Sequence, residues 1–253
     1  SLLSADSAKK LVATLGDLKG LAMKLGQQMS MDPDLLTPEV RAVIARLQNQ
    51  APPMAWPRVR EVLVSEFGRP PEEVYAEFSE APVASASLGQ VHVARTHAGE
   101  KVAVKIQYPD IADALKADLD NVAAMVSVVA TTTRITHGKS YFAELRDSMM
   151  DELDYVHEAE RADEYRAACA RLPGITVPRI YRELTTRRVL TMEFLEGETF
   201  KEFLHHREGV SNDEKFRVAR LLTMSLWGPF LLSGLVHSDP HPGNFILMKD
   251  GRV

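Results

Sequence analysis

The run Gln90 to Pro109, QVHVARTHAGEKVAVKIQYP, constrains the fold more than any other stretch of the chain. Apolar residues alternate with polar ones on both sides of Ala98-Gly99, and valines dominate the apolar set. A period of two interrupted by a glycine-bearing turn predicts a pair of antiparallel strands. The flanking sequence has a different character. Leu11, Leu15, Leu18, Leu21 and Leu25 recur at helical spacing until Pro33 breaks the pattern. Thr37-Pro38-Glu39 then opens a second helix, read to about Gln48. After the linker APPMAW a short helix is expected over about 57–67, broken at Gly68. Residues 110–130 and 140–171 read as two more helices, the second strongly charged. The stretch 174–197 reads as a second strand pair turning at Thr185-Thr186. An apolar helix follows over 212–233, with Gly234 as its C-cap, and FILMKDGRV has strand character. Strands and helices do not alternate regularly, so the fold class is α+β and not a doubly wound sheet.

Composition narrows the function classes. With 253 residues the chain holds one large domain or two lobes. A net charge of −5 gives no generic attraction for a polyanion, so a nucleic-acid partner is not expected. The single cysteine, Cys169, cannot close an internal disulfide, which fits a reducing compartment. No segment is read as a signal peptide or a membrane span. The chain starts at Ser1 and stops at KDGRV, which resembles a turn entering a strand, and is therefore read as a piece of a longer protein.

Four stretches carry chemistry. In Ala84-Ser85-Ala86-Ser87-Leu88-Gly89-Gln90-Val91, small residues fall at the positions of the protein-kinase loop G-x-G-x-x-G-x-V. Small side chains there let backbone N–H groups approach phosphate oxygens; a plain strand-turn-strand is the alternative. Lys105 closes the strand VAVK sixteen residues after Gly89, where an ammonium can reach nucleotide phosphates or simply solvent. A carboxylate to hold it comes from the charged helix. There Glu158 and Asp154 are four apart and share a face, whereas Glu152 is rotated away by roughly 120°. A solvated acidic face is the competing reading. Finally, LVHSDPHPGNFI places Asp239 and Asn244 five apart between a helix and a strand, with His237 two before the aspartate. That is the interval of the kinase loop H-R-D-x-x-x-x-N, in which the aspartate orients a proton and the asparagine binds magnesium. His237 and His241 with Asp239 also leave a metal-site reading open.

Together these segments resemble the UbiB family of atypical protein-kinase-like proteins, which includes the mitochondrial coenzyme Q–associated kinases. KLGQ at Lys24 to Gln27, ASASLGQVH, ELD at Glu152 to Asp154, and HSDPHPGN match the family's motifs in order. The resemblance implies a bilobal protein-kinase-like fold with an N-terminal helical extension and a truncated C-terminal lobe. The segments would be 1–56, the extension; 57–196, the N-lobe; and 197–253, the start of the C-lobe. It implies ATP and Mg²⁺ as cofactors. Lys105 would contact the phosphates and pair with Glu158, and Asp239 would be the catalytic aspartate. Asn244 would be a magnesium ligand. Ala84, Ser85, Ala86, Ser87, Gly89 and Glu193, in the hinge-like LTMEFLEG, would line the nucleotide. Lys24 and Gln27 would reach the site from the extension and meet Glu152 or Asp154. His241 stands where protein kinases carry a lysine beside the γ-phosphate. The family's association is with ATP hydrolysis and ubiquinone or other isoprenoid-lipid metabolism. Partners would thus be ATP, an isoprenoid lipid or membrane surface, and lipid-biosynthesis enzymes. The location would be the cytoplasm, the cytoplasmic membrane face, or the mitochondrial matrix side. A small-molecule phosphotransferase of the aminoglycoside or choline kinase type, and a nucleotide-switched scaffold, are the alternatives. A second magnesium-binding aspartate, from D-F-G, is expected beyond Val253.

Overall fold

The structure, a computed structural model, describes residues 53–253 except Ser87, Asp118, 121–145, Ser148, Met149 and Ser238. The expected helices of the extension, with Lys24 and Gln27, and most of the helix expected over 110–130, lie outside the described residues.

Helix α1, Trp56–Phe67, carries Pro57 in its first turn, where a missing N–H costs nothing. It ends on Gly68 in the left-handed region, φ +68°, whose N–H donates to Val64 O. Its Val59, Val62 and Leu63 form one buried stripe. The four-residue helix α2, Pro71–Val74, follows. Strands β1, Glu77–Phe78, and β2, Ala84–Ala86, both pair with β3, Gly89–Arg95. Next come β4, Lys101–Gln107, and β5, Val189–Glu193, completing a five-stranded antiparallel sheet in the order β1-β3-β4-β5 with β2 also on β3. The β3–β4 hairpin turns at Gly99, φ +84°, where the alternation places it.

The pleat explains which face each residue takes. Val102, Val104 and Ile106 are fully buried against Val59, Leu63 and Tyr75 on the α1 side. Lys105, one position out of phase, points to the other face. There helix α3, Tyr155–Cys169, lays Tyr155 and Ala159 against Ile180 and Leu190, the cross-strand partner of Lys105. The sheet is thus sandwiched, with its lysine on the α3 side.

Two sequence expectations are corrected. The helix read over 140–171 is interrupted: Asp154 has extended backbone and caps a helix that begins at Tyr155. Tertiary bonds fix that break, Tyr155 N–H to Arg187 O (3.0 Å) and Gln107 Nε2 to Leu153 O (2.9 Å). The strand pair read over 174–197 has only its second strand, β5. Ile180 makes a single bridge to Met192, and Arg182–Leu184 forms a 3₁₀ turn. Pro178 offers no N–H to a ladder, and Thr185 Oγ1 ties the turn by donating to Tyr181 O and accepting from Thr191 N.

The remainder packs around a second core. Strand β6, Gly197–Thr199, pairs antiparallel with β7, Ile246–Met248. Helix α4, Phe200–His206, opens on a capping box between Thr199 and Glu202. Helix α5, Asn212–Ser233, is capped by Ser211 and closed by Gly234 at φ +69°. Phe203, Val218, Leu221, Phe245, Leu247 and Val253 form the core between them. Thr176 N–H to Val253 O (2.7 Å) and Val253 N–H to Gly174 O (2.9 Å) bind the connecting segment to this second unit. No helix among the described residues is long and apolar enough to cross a membrane.

Candidate active site

Lys105 is the anchor of the site. Its Nζ lies 2.8 and 3.0 Å from the two carboxylate oxygens of Glu158, and 4.6 Å from the centre of the Tyr155 ring. Burial, the largest single influence, would depress the ammonium, but the charge and hydrogen bonds of Glu158, with Tyr155 and Glu152 acting in the same sense, together outweigh it, so the pKa lies above the ordinary lysine value. The side chain stays a cation while remaining only 19% exposed. Tyr155 beneath it is buried, and among the described residues its hydroxyl has no hydrogen-bond partner. Burial pushes that phenol up as well, so it stays neutral. The sequence reading missed Tyr155; its position three residues before Glu158 on the same helix face was the available signal.

The two other acidic residues stand differently from the helical-wheel expectation, because both precede the helix. Asp154 Oδ1 accepts from Val156 N–H (3.0 Å), and Oδ2 lies 3.5 Å from Arg187 Nε. Its carboxylate is therefore a helix cap. Glu152 is half-buried in the turn before it, close enough to bias Lys105 electrostatically.

In the small-residue loop, β2 and β3 form a tight hairpin with Ala86 opposite Gly89. Ala84 and Ser85 are exposed, Ala86 is half-buried, and Ser87 lies outside the described residues. Gly89 has a packing reason to be glycine: a Cβ there would stand 2.0 Å from Ile106 O of β4. Gln90, the next residue, is fully buried. Its amide accepts from Met54 N–H (2.6 Å) and donates to Met54 O (3.2 Å) and His92 Nε2 (2.8 Å). Because Nε2 accepts, the His92 Nδ1–H donates to Ser79 O (2.8 Å). The ring is held neutral, its pKa depressed by burial. Glu193 ends β5 exposed, with one carboxylate oxygen accepting from Arg179 N–H (3.2 Å) and its own N–H donating to Arg179 O (2.8 Å).

The loop after α5 is self-organised. Asn244 Nδ2 donates to both Asp239 O (2.9 Å) and Asp239 Oδ2 (3.0 Å). This fixes the amide so that Oδ1 faces away, and among the described residues no hydrogen bond reaches it. Asp239 N–H donates to His237 Nδ1 (3.3 Å), and Gly243 N–H to His241 Nδ1 (3.1 Å). His237 is neutral, its pKa lowered by burial against an opposing pull from Asp239. Both histidines thus spend a ring nitrogen on holding the loop. No group of three metal-ligating acidic, histidine or cysteine side chains occurs among the described residues. The donors present suit a hard cation that keeps several waters: Asn244 Oδ1 and the remaining Asp239 oxygen.

Three comparisons bear on this arrangement. The ABC1 atypical kinase-like domain matches residues 46–253. A putative ABC1 protein of Arabidopsis thaliana is 35% identical over 96% of the chain, and the mitochondrial atypical kinase COQ8B of Rattus norvegicus is 30% identical over 96%. The chain spans 46% of the length of each of these relatives. The solved complex of Rv3197 with erythromycin, from Mycobacterium tuberculosis, superposes with a TM-score of 0.69 at 35% identity, over 98% of this chain and 62% of that one. The fold is protein-kinase-like, and the chain belongs to the family of ABC1 atypical kinase-like domains.

Proposed function

We propose that the protein binds Mg·ATP between its five-stranded sheet and the 237–244 loop and hydrolyses it or transfers its γ-phosphoryl group. The observation that carries this reading is the Lys105–Glu158 pair on the face opposite the α1 core. A cation so held, with its stem buried, is preorganised for a phosphate oxygen without losing its side-chain order on binding. Asn244 would hold the magnesium, which when bound neutralises charge on the phosphate chain. Asp239, its carboxylate oriented by Asn244, would accept the proton of the attacking hydroxyl or water. The 84–89 hairpin would cover the phosphates, and the backbone at Glu193 would meet the base. In this reading residues 57–196 form the N-lobe and 197–253 begin the C-lobe. Residues 1–56 would be the extension from which Lys24 and Gln27 meet Glu152 or Asp154.

At the level of the whole protein we propose support of ubiquinone or other isoprenoid-lipid synthesis at a membrane surface. The family motifs alone support this part, and it rests on their resemblance. Binding and single-turnover hydrolysis of Mg·ATP by the full-length protein test the reading. Lys105→Ala should weaken nucleotide binding at least about tenfold, and Asp239→Asn should slow hydrolysis by about 10² or more. Unchanged affinity in Lys105→Ala contradicts the assignment. Hydrolysis that rises with lipid vesicles supports the membrane-linked role; a rate indifferent to vesicles contradicts it.

A further inference from the structure

Helix α3 carries a second contact that the lysine pair does not require. Glu158 and Tyr165 are seven residues apart, so they share one stripe of the helix, about 10 Å apart along its axis. At the first position the helix holds Lys105. At the second, the Tyr165 hydroxyl donates to Ser225 O, a carbonyl on α5 whose residue is buried. The same ring stands edge-on against His237, centroids 5.5 Å apart at 87°. His237 stacks on Phe245 (5.5 Å, 30°) and accepts the Asp239 N–H. Asp239 is bonded to Asn244. A continuous series of contacts therefore joins Lys105 to Asp239 through one helix, although the two residues are 134 positions apart in sequence (239 − 105).

Helix packing alone would need only the bond from Tyr165 to Ser225. It would not require the ring to brace the residue from which the Asp239 loop hangs. Edge-to-face ring pairs of this kind have a preferred geometry and are favourable beyond the area they bury. A helix is stiff over two turns, so a displacement at either end is passed to the other.

We propose that Tyr165 is a positioning residue, which locks the loop bearing Asp239 and Asn244 to the helix that holds Lys105 and so fixes the separation of the phosphate-binding and proton-accepting groups. This rests on the Mg·ATP reading above. Misplacement by about 1 Å costs up to roughly 10²-fold in rate, whereas Lys105, the phosphate-binding cation, keeps its partner Glu158 without Tyr165, so the loss of Mg·ATP affinity through Asn244 is the smaller effect.

The test uses the full-length protein and three readouts: Mg·ATP affinity, single-turnover hydrolysis, and amide hydrogen exchange over 237–244 against that of β3–β5. Tyr165→Leu should slow hydrolysis about tenfold or more while weakening Mg·ATP affinity by a smaller factor, because Lys105 and Glu158 are untouched, and should speed exchange in the loop but not in the sheet. Tyr165→Phe, which keeps the ring, should restore hydrolysis to within about threefold of wild type. Tyr165→Met takes the place of the leucine variant if that protein does not fold. Hydrolysis unchanged in the ringless variant, or affinity and rate falling together with exchange rising everywhere, overturns the proposal. Wild-type protein that neither binds nor hydrolyses Mg·ATP refutes the nucleotide reading instead; loop exchange still reports whether Tyr165 braces 237–244.

Discussion

Gly89 and His92 illustrate how single residues near the small-residue loop are fixed by their neighbours in the sheet. A methyl group at 89 would meet a backbone oxygen, which cannot rotate away, at 2.0 Å. Gly89→Ala should therefore destabilise the fold by about 1–3 kcal/mol, measured by denaturant unfolding; an alanine variant as stable as wild type would show that β3 and β4 separate there at little cost. The role of that glycine was only half legible in the sequence. The motif predicts room for phosphate, but the clash with Ile106 depends on cross-strand register. His92 is wedged between Gln90 Nε2, the Ser79 carbonyl and the Phe78 ring. Burial depresses its pKa, so the unfolded chain takes up a proton first. Its contribution to stability is intact above the unfolded value of about 6.5 and is lost as pH falls from there through the folded pKa. Unfolding free energies measured from pH 7.5 to 5 should fall more steeply for wild type than for His92→Gln. Equal slopes would refute a buried neutral His92.

At the scale of elements, α3 does most to position the site, and its beginning decides what its carboxylates can do. Asp154 caps the first turn, and Glu158 one turn later faces Lys105. Asp154→Ala should cost about 0.5–2 kcal/mol of stability, and Asp154→Ser should recover most of it. Chemical denaturation of the two variants checks this. If serine recovers stability but not nucleotide turnover, the carboxylate has a duty beyond the cap. The spacing of Asp154 and Glu158 made a carboxylate for the lysine legible, but the choice of Glu158 came from the family resemblance. It also misled, because the same spacing suits a helix running straight through. The break is set by bonds from Arg187 and Gln107, on strands and turns far along the chain. The missing strand before β5 failed for a related reason. Its apolar residues Ile175 and Val177 suit a strand, but Pro178 and the turn at Arg182–Leu184 prevent a ladder. Helix α5 was legible because Ser211 and Gly234 mark both ends by local chemistry alone.

At the scale of the molecule, the sheet core and the core around α4 and α5 are joined, among the described residues, by α3 and by the segment at 174–176. The α+β class followed from the order of periodicities, and the family from motifs spread along the chain. What the order of motifs could not give was the connection between lobes, since Tyr165 and Ser225 have no signature of their own and that of His237 speaks only for its own loop. The central claim is that Lys105 and the 239–244 loop serve one Mg·nucleotide. Labelling of the full-length protein with an acyl-phosphate derivative of ATP, which transfers its acyl group to a lysine beside the phosphates, tests it most directly. Lys105 should be acylated, and free ATP should protect it only with magnesium present. The protecting concentration should rise about tenfold or more in Asn244→Ala. Acylation confined to other lysines, or protection of Lys105 that ignores both magnesium and Asn244, would contradict the account.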